Sequence, residues 1–213
     1  MNSKKEALAQ FHRNHIIEAA KELFSAKGLE GASMDELAAK AEYSKSTIYV
    51  YFSGKDDIYY SIVHDYLEML RLGIDDCIKK NNTFEDRYYA ICDLLVGFAE
   101  NEQMYFDTIL GKISVDEADF EKLPILKTIY ETGEEINELI AQLFQTAVNS
   151  GFADENLPPI ETGFVFWSSI CSLISVSRNK AQYFRKNLNI SRDEFLKFGF
   201  TLLLNSIRKK DIK

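Results

Sequence analysis

The chain has 213 residues, a formal net charge of −8 and 46% hydrophobic residues, a composition typical of ordinary globular proteins rather than disordered ones. With only 10 Gly and 3 Pro, it has too few turn residues for an all-β fold. Its 3 cysteines lie far apart in the sequence, which argues against a disulfide framework and against a zinc knuckle.

The negative charge is unevenly distributed along the chain. Residues 1–56 contain eight Lys or Arg and eight Asp or Glu, so this segment is neutral and the remainder carries the whole net charge. The acidic composition therefore does not exclude an anionic partner, such as nucleic acid, for the first segment. The start, MNSKKEALAQFHRNH, has no apolar run typical of a secretory signal. The apolar run GFVFWSSICSLISV is too short and too rich in serine to cross a bilayer, so we expect a cytoplasmic protein without membrane contact.

Apolar residues recur at helical spacing from near the start of the chain. The positions i, i+4, i+7 and i+8 from Ile16 are apolar, which predicts an amphipathic helix that ends at Gly28. Ser33 and Glu36 form an S-x-x-E capping box, which predicts a short second helix. Ser44 is a good N-cap for a third short helix, KSTIYVYF.

The rest of the chain also has helical patterns. Ser53 can cap a long fourth helix, and Thr83 and Asp86 open the next one, through RYYAICDLLVGFAE. Further helices are predicted over MYFDTILGKI, over residues 123–149, over the apolar residues 160–178, and after the capping box SRDE. Because the sequence has no strand-like alternation, we predict an all-α protein of about nine helices.

Two short helices joined by a tight turn and packed on a longer first helix are typical of a helix-turn-helix unit. The second short helix of such a unit enters the major groove of DNA. With Ile48 and Phe52 directed inward, its other side chains face outward or sideways. Lysines and hydroxyls bond phosphate oxygens, Lys45 can also bond guanine, and Val50 or the Thr47 methyl can contact a thymine methyl. On these grounds alone, a structural helical hairpin remains an alternative.

The run IIEAAKELFSAKGLEGASMDELAAKAEYSKSTIYVYFSGKDDIYYSIV, residues 16–63, resembles the DNA-binding head of TetR-family transcriptional regulators. The family pattern has an AA-x-x-LF helix, then G-x-x-x-[ST] and D-x-[IL]-A-x-x-A. It closes with the recognition helix [SK]-x-T-[IL]-Y-x-[YH]-F and with K-[ED]-x-[IL] at the start of the fourth helix. All of these elements are present in this order. The resemblance implies a DNA-binding head over residues 1–56 and a helical domain for ligand binding and dimerisation over residues 57–213.

By this resemblance, DNA contacts are expected from the recognition helix and from the starts of the second and fourth helices. The expected contact residues are Ser33, Met34, Lys45, Ser46, Thr47, Tyr49, Val50, Tyr51 and Lys55. The turn, usually AGVS in the family, reads AEYS here, so Glu42 stands where glycine is common. A carboxylate there weakens the attraction for DNA or needs a backbone that tolerates the left-handed conformation. Val50 replaces a frequent aromatic residue, and Ser46 stands where many relatives have glycine.

In the family, the last two long helices of each subunit form a four-helix dimer interface. The expected interface residues here are Ser168, Ser172, Ser175, Phe195, Phe198 and Leu202. The serines form a small-residue face that lets a partner helix approach closely, and the other residues form an apolar seam. Packing of the same faces within one subunit is the alternative. We expect a homodimer because a helix-turn-helix protein reads two half-sites one turn of DNA apart.

Aromatic residues of the body are candidates for an apolar effector pocket. The candidate pocket residues are Tyr66, Leu70, Tyr105, Ile109, Tyr130, Trp167 and Cys171. Aromatic residues at helical spacing more often belong simply to the core. The acidic body favours a neutral or cationic lipophilic effector over an anionic one.

The sequence has no catalytic or metal-binding motif. His12, His15 and His64 lack the spacing of a zinc site, so surface or capping roles are favoured for them. An enzyme that uses Cys171 or His64 has no supporting motif, and no cofactor is expected. We therefore predict a dimeric repressor that binds a palindromic operator in double-stranded DNA and is released by a small molecule. The alternatives are an activator, or a DNA-bound scaffold of the same fold without an effector.

Overall fold

The computed structural model describes residues 2–109 and 117–209, and the regular elements in these ranges are helical. The helices are α1 (Asn2–Gly31), α2 (Met34–Lys40), α3 (Lys45–Tyr51), α4 (Lys55–Lys80), α5 (Phe84–Asn101), α6 (Gln103–Ile109), α7 (Ile125–Asn149), α8 (Pro159–Asn179), α9 (Ala181–Tyr183) and α10 (Arg192–Ile207). A 3₁₀ turn, Glu117–Asp119, precedes α7, and a π-helical turn, Phe184–Leu188, follows α9. The all-α prediction is confirmed, and the single-turn helix α9 is an element that the sequence pattern did not predict.

The described residues form two compact units. The first consists of residues 2–67 and 117–131, and the second of residues 68–109 and 132–209. Helices α4 and α7 each contribute residues to both units. The boundary that the sequence suggested, between residues 56 and 57, lies within α4 and inside the first unit.

Side-chain caps define the starts of the two short helices in the first unit. At α2, Ser33 Oγ accepts from the Glu36 amide at 3.2 Å, and the Glu36 carboxylate accepts from the Ser33 amide at 3.0 Å. The hydrogen bond from Lys27, together with those from Ser33, lowers the pKa of Glu36 to about 2. At α3, Ser44 Oγ accepts from the Thr47 amide at 3.0 Å. Both caps are those that the sequence predicts.

Helix α1 is interrupted at Gly28, where φ is 71° and ψ is 168°. Glycine adopts this conformation without a steric penalty, so the amphipathic part of α1 ends where the pattern predicts. The largest fully buried side chains of the first unit are Ile16, Phe24, Leu37, Ile48, Ile58 and Ile62. Burying each such side chain stabilises the fold by about 1.5–3 kcal/mol. The core therefore holds α1, α2, α3 and the first part of α4 together.

In the second unit, α8 packs against both α5 and α10. The Tyr88 hydroxyl of α5 donates to the Phe200 carbonyl oxygen of α10 at 2.9 Å. Glycine allows helices of this unit to approach closely, for example at Gly163 and Gly199. A Cβ at Gly163 would lie 2.7 Å from Ile140 Cγ2, and a Cβ at Gly199 would lie 2.9 Å from Leu173 Cδ1.

Among the described helices, α8 has the length and apolar composition of a membrane-spanning helix. The helix is 21 residues long, so it extends beyond the apolar run that we judged too short to span a bilayer. Its residues Phe166, Ile170 and Ile174 are buried inside the second unit. Because a core helix of a globular protein meets the same criteria, this finding is weak support for a membrane span.

Candidate nucleic-acid interface

Helix α3 has one buried face and a broad exposed face. Ile48 is fully buried and Phe52 is 2% exposed, as the sequence pattern predicts. The exposed side chains are Lys45, Ser46, Tyr49 and Val50. Val50 is 75% exposed and Tyr49 52%, although both carry large apolar groups. The exposed face of α3 therefore combines groups that bond phosphates with apolar groups that can contact base edges.

Thr47 and Tyr51 of α3 are half-buried, and each is already engaged in the head. Thr47 Oγ1 lies 2.7 Å from Ser44 Oγ, and the Tyr51 carbonyl oxygen accepts from Arg13 at 2.6 Å. Ser46 Oγ also lies 2.8 Å from Ser44 Oγ. The hydroxyl groups at the start of α3 are thus preorganised by the N-cap.

Lys45 forms an ion pair with Asp35 of α2, at a distance of 2.9 Å. The hydrogen bond to Asp35 raises the pKa of Lys45, so this ammonium group is charged at neutral pH. Both side chains are exposed, and exposed pairs of this kind contribute little to stability. Asp35 therefore occupies the ammonium group that is expected, from the sequence, to contact DNA.

Lys55 is the first residue of α4 and is half-buried. Its Nζ donates to the Ala32 carbonyl oxygen at 3.2 Å, which joins the start of α4 to the residues before α2. Of the two residues that follow Ala32 in the sequence, Ser33 is exposed and Met34 is half-buried. Lys55 thus has a structural contact in addition to its expected role at a phosphate.

Gly54, rather than Ser53, immediately precedes α4. The Ser53 amide and hydroxyl both donate to Asp57 Oδ2, at 2.7 and 3.1 Å. The sequence pattern predicted that Ser53 would accept a hydrogen bond as the N-cap of α4. Instead, Ser53 donates, and Asp57 in the first turn of α4 accepts.

The turn between α2 and α3 contains a residue in the left-handed conformation, Glu42, with φ 56°. For a residue other than glycine this conformation costs about 1–2 kcal/mol. Of the two alternatives expected for Glu42, the structure shows the left-handed backbone. The Glu42 side chain is exposed, so its negative charge lies in the solvent beside the recognition helix.

Helix α1 contacts the recognition helix and the turn before it through residues that the sequence did not single out for this role. His12 Nδ1 and the Tyr43 hydroxyl are 2.6 Å apart, and the rings of His15 and Tyr43 meet edge-on at a centroid distance of 5.5 Å. Arg13 donates to the Tyr51 carbonyl oxygen and lies 4.3 Å from the Phe52 ring centroid. Both hydrogen bonds join residues more than 30 positions apart, so no local pattern predicts them.

The residues expected at a dimer interface lie on α8 and α10 of the second unit, which form an open groove of about 530 Å³. Ser168, Ser172 and Leu202 line this groove. Phe198 is 67% exposed and Leu202 61%, which leaves a large apolar area in contact with solvent. The other two expected residues are less exposed. Ser175 is half-buried, and Phe195 stacks on Phe184 of the same chain at a centroid distance of 4.3 Å.

One of the candidate pocket residues, Trp167, lines a cavity of about 20 Å³ between α5, α7 and α8. This volume holds about one water molecule. Leu70, Tyr105 and Cys171 are buried elsewhere in the second unit, and the side chain of Ile109 lies outside the described residues. Burial raises the pKa of Cys171 to about 12, so its thiol is protonated at neutral pH and is not an activated nucleophile.

The remaining two candidate pocket residues belong to the first unit. Tyr66 is buried, and Lys21 Nζ lies 5.4 Å from its ring centroid. Tyr130 is 43% exposed, and its ring lies 5.9 Å from that of Phe120. In this aromatic pair Tyr130 is exposed and Phe120 is half-buried. Within the described residues, no group of three His, Cys, Asp or Glu side chains could hold a metal ion.

Residues 16–62 match the family described as bacterial regulatory proteins, tetR family. The transcriptional activator FasR of Mycolicibacterium smegmatis is 27% identical over 105 residues, which cover 49% of this chain and 48% of FasR. The match to this relative thus spans about half the length of either protein.

Two solved structures resemble the fold over almost the whole chain. FadR of Bacillus subtilis in complex with stearoyl-CoA has a TM-score of 0.69 at 16% identity, with 91% of this chain and 98% of FadR covered. AibR in complex with isovaleryl coenzyme A and operator DNA has a TM-score of 0.66 at 15% identity, with coverage of 91% and 98%. At these identities the likeness shows a common fold.

Proposed function

We propose that the chain is a DNA-binding transcriptional regulator of the TetR family and that it acts as a dimeric repressor released from its operator by a small molecule. The observation that supports operator binding is the exposed face of α3, which lies inside the matched residues 16–62. Helix α3 has seven residues, and its Val50 side chain is 75% exposed. Packing within the chain therefore contributes little stability on the exposed face of α3. Its composition suits the major groove of DNA.

The exposed groups divide into two proposed roles. Lys45, Ser46 and Thr47, at the start of α3, would bond phosphate oxygens or guanine. Tyr49 and Val50 would contact base edges, with the Val50 methyl groups placed against a thymine methyl. Ser33, Met34, Tyr51 and Lys55 would contact the DNA backbone around them, which positions the head without reading sequence.

Dimerisation through α8 and α10 is supported by exposed apolar side chains on both helices, of which Leu202 lines the groove between them. Phe198 and Leu202 of α10 and Phe164 and Val165 of α8 are all more than half exposed. Large exposed apolar patches on soluble proteins commonly mark interfaces. A two-fold dimer would present two copies of α3 to half-sites about 34–36 Å apart, so the operator should be palindromic.

The proposed effector binds in the second unit and acts through α4. This helix begins at Lys55 and contributes residues to both units, so a shift of α4 would change the spacing between the two heads. The acidic body favours neutral or cationic lipophiles, whereas the structures of FadR and AibR contain coenzyme A thioesters, which are anionic. Both classes belong in a thermal-shift screen, where a ligand of the folded protein raises the melting temperature.

Selection of bound duplexes from a random-sequence pool, followed by salt titration, tests DNA binding. We expect a palindromic sequence and a steep fall in affinity with salt, because phosphate contacts release counterions. Lys55→Ala should weaken binding to all sequences and reduce the salt slope by about one, whereas Thr47→Ala should relax specificity. Lys79→Ala, on α4 in the second unit, is the control with the same charge change. Recovery of no sequence above background, or unchanged binding by both head variants, would contradict the proposal.

An activator of the same fold is the second candidate, because the relative FasR is an activator. A DNA-bound scaffold without an effector is the third. A reporter gene placed behind the selected duplex separates them. Repression that a screened ligand relieves supports the first candidate, activation supports the second, and a constant effect that no ligand changes supports the third. We propose that the protein acts in the cytoplasm, because the matched family consists of bacterial regulatory proteins and bacterial DNA lies there.

A further inference from the structure

The imidazole of His12, on α1, contacts both ends of the recognition helix α3. Its Nδ1 lies 2.6 Å from the hydroxyl of Tyr43, in the turn just before α3. Its ring centroid lies 5.7 Å from that of Tyr51, the last residue of α3. The side chain is half-buried, and the Phe11 ring packs edge-on against it at 5.7 Å. One side chain thus contacts both the turn before the seven-residue helix α3 and the last residue of that helix.

The neighbouring residue strengthens the same connection. Arg13 donates to the Tyr51 carbonyl oxygen at 2.6 Å and lies over the Phe52 ring. Two consecutive residues of α1 therefore hold α3, one mainly through the turn before it and one at its last carbonyl. Because α3 is too short to be stable alone, its orientation depends on these contacts.

We propose that His12 is a positioning residue for the recognition helix and couples operator binding to the uptake of one proton. The inference rests on the proposed DNA-binding function. Either tautomer of the neutral imidazole can make this contact. In the tautomer proposed here, Nδ1 accepts from the Tyr43 hydroxyl and the ring proton is on Nε2. After proton uptake Nδ1 becomes a donor to the Tyr43 oxygen. The hydrogen bond between His12 and Tyr43 then remains, with His12 as its donor. The hydroxyl hydrogen of Tyr43 can rotate toward another acceptor, such as a phosphate.

The charge added by this proton favours the DNA complex. The groups that face the imidazole are Tyr43 from the turn and Tyr51 from α3, and Arg13 and His15 are its titratable or charged neighbours on α1. Among the described residues, no carboxylate forms an ion pair with His12. A phosphate backbone at α3 would bring dense negative charge beside this group, so by linkage the complex binds the proton more tightly than the free protein does.

His15 provides a matched control on the same helix. Its ring also packs edge-on against Tyr43, at 5.5 Å, but the hydrogen bond to the hydroxyl is made by His12. Asparagine can place a side-chain atom near the position of Nδ1 without titrating. His12→Asn and His15→Asn therefore make the same chemical change at two positions that differ in the proposed role.

The experiment measures binding to the duplex recovered by selection, by fluorescence anisotropy at pH 8.0 and pH 6.0 and constant ionic strength. The affinity of the wild-type protein should rise about three- to tenfold at the lower pH, since uptake of one proton permits up to about tenfold per pH unit. His15→Asn should keep this rise, and His12→Asn should lose most of it. Tyr43→Phe should reduce the preference for the selected duplex over a scrambled one by at least about threefold, with the melting temperature as the check on folding.

Calorimetry of the wild-type protein in two buffers of different ionisation enthalpy counts the protons taken up and requires no variant. The proposal is overturned if the duplex binds without proton uptake, or if His12→Asn keeps the pH dependence of the wild type. Equal loss in both asparagine variants would also overturn the specific assignment to His12. If the protein binds no duplex at pH 8.0 and none at pH 6.0, the result would instead contradict the proposed DNA-binding function.

Discussion

Arg13 donates a hydrogen bond to the Tyr51 carbonyl oxygen at 2.6 Å, and thereby satisfies an acceptor at the C-terminal end of the recognition helix from a different helix. The last carbonyl groups of a helix have no partner within it, and a cation there interacts favourably with the helix dipole. The same guanidinium lies 4.3 Å from the Phe52 ring centroid. Arg13 therefore couples the end of α3 to α1 through both a hydrogen bond and a cation–π contact.

Replacing Arg13 by Gln should lower the free energy of unfolding by about 1.5–3 kcal/mol, the range for a lost hydrogen bond to a charged group. Arg13→Lys should recover part of this loss, because an ammonium can bond the carbonyl but lacks the planar stacking surface. Urea denaturation followed by circular dichroism measures both changes. Lys79→Gln, which removes an exposed pair with Asp75, serves as control and should change stability by less than about 0.5 kcal/mol. Equal stability of Arg13→Gln and wild type would show that the contact is dispensable.

Replacing Asp35 by Asn should tighten DNA binding about two- to fivefold at low salt, because Lys45 then no longer has an anionic partner within the head. The gain should shrink as ionic strength rises, since salt screens exposed charges. Anisotropy titrations at two salt concentrations measure it. Glu30→Gln, on α1 near its end, removes one negative charge without touching this pair. A gain of the same size in both variants would assign the effect to net charge rather than to Lys45.

Replacing Glu42 by Gly should raise the free energy of unfolding by up to about 1 kcal/mol. Relief of the left-handed strain, about 1–2 kcal/mol, is partly offset by the entropy that glycine adds to the unfolded chain. Glu42→Ala keeps the strain and removes only the charge. Both variants should bind DNA more tightly, but only the glycine variant should be more stable in thermal unfolding. Stabilisation by alanine to the same extent would contradict the role assigned to the backbone.

Replacing Gly163 by Ala should destabilise the second unit by about 1–3 kcal/mol, because the new Cβ would lie 2.7 Å from Ile140 Cγ2. Isoleucine is β-branched and has few alternative rotamers with which to move away. The control is Gly97→Ala in α5, where no heavy atom lies within 4 Å of the new Cβ. There, alanine should stabilise the helix by about 0.5–1 kcal/mol. Opposite signs in urea denaturation are expected, and a stabilising effect at both positions would contradict the close packing of α7 on α8.

Much of this protein was determined by the sequence itself, because the relevant interactions are local. The caps at Ser33 and Ser44 join residues three positions apart. The buried position of Ile48 and the exposure of Val50 follow from helical periodicity, and the left-handed turn at Glu42 follows from its place in the family pattern. The motif over residues 16–63 predicted the family for the same reason, since its elements are consecutive in the chain.

Only the tertiary structure decided which distant residues contact one another in the first unit. The hydrogen bonds between His12 and Tyr43, Arg13 and Tyr51, and Lys55 and Ala32 join residues 31, 38 and 23 positions apart. Such pairs depend on how α1, α3 and α4 cross. The groove between α8 and α10 and the close approach at Gly163 are of the same kind. A helical pattern specifies which face of a helix is buried, whereas the partner of that face is chosen by the packing of the whole core.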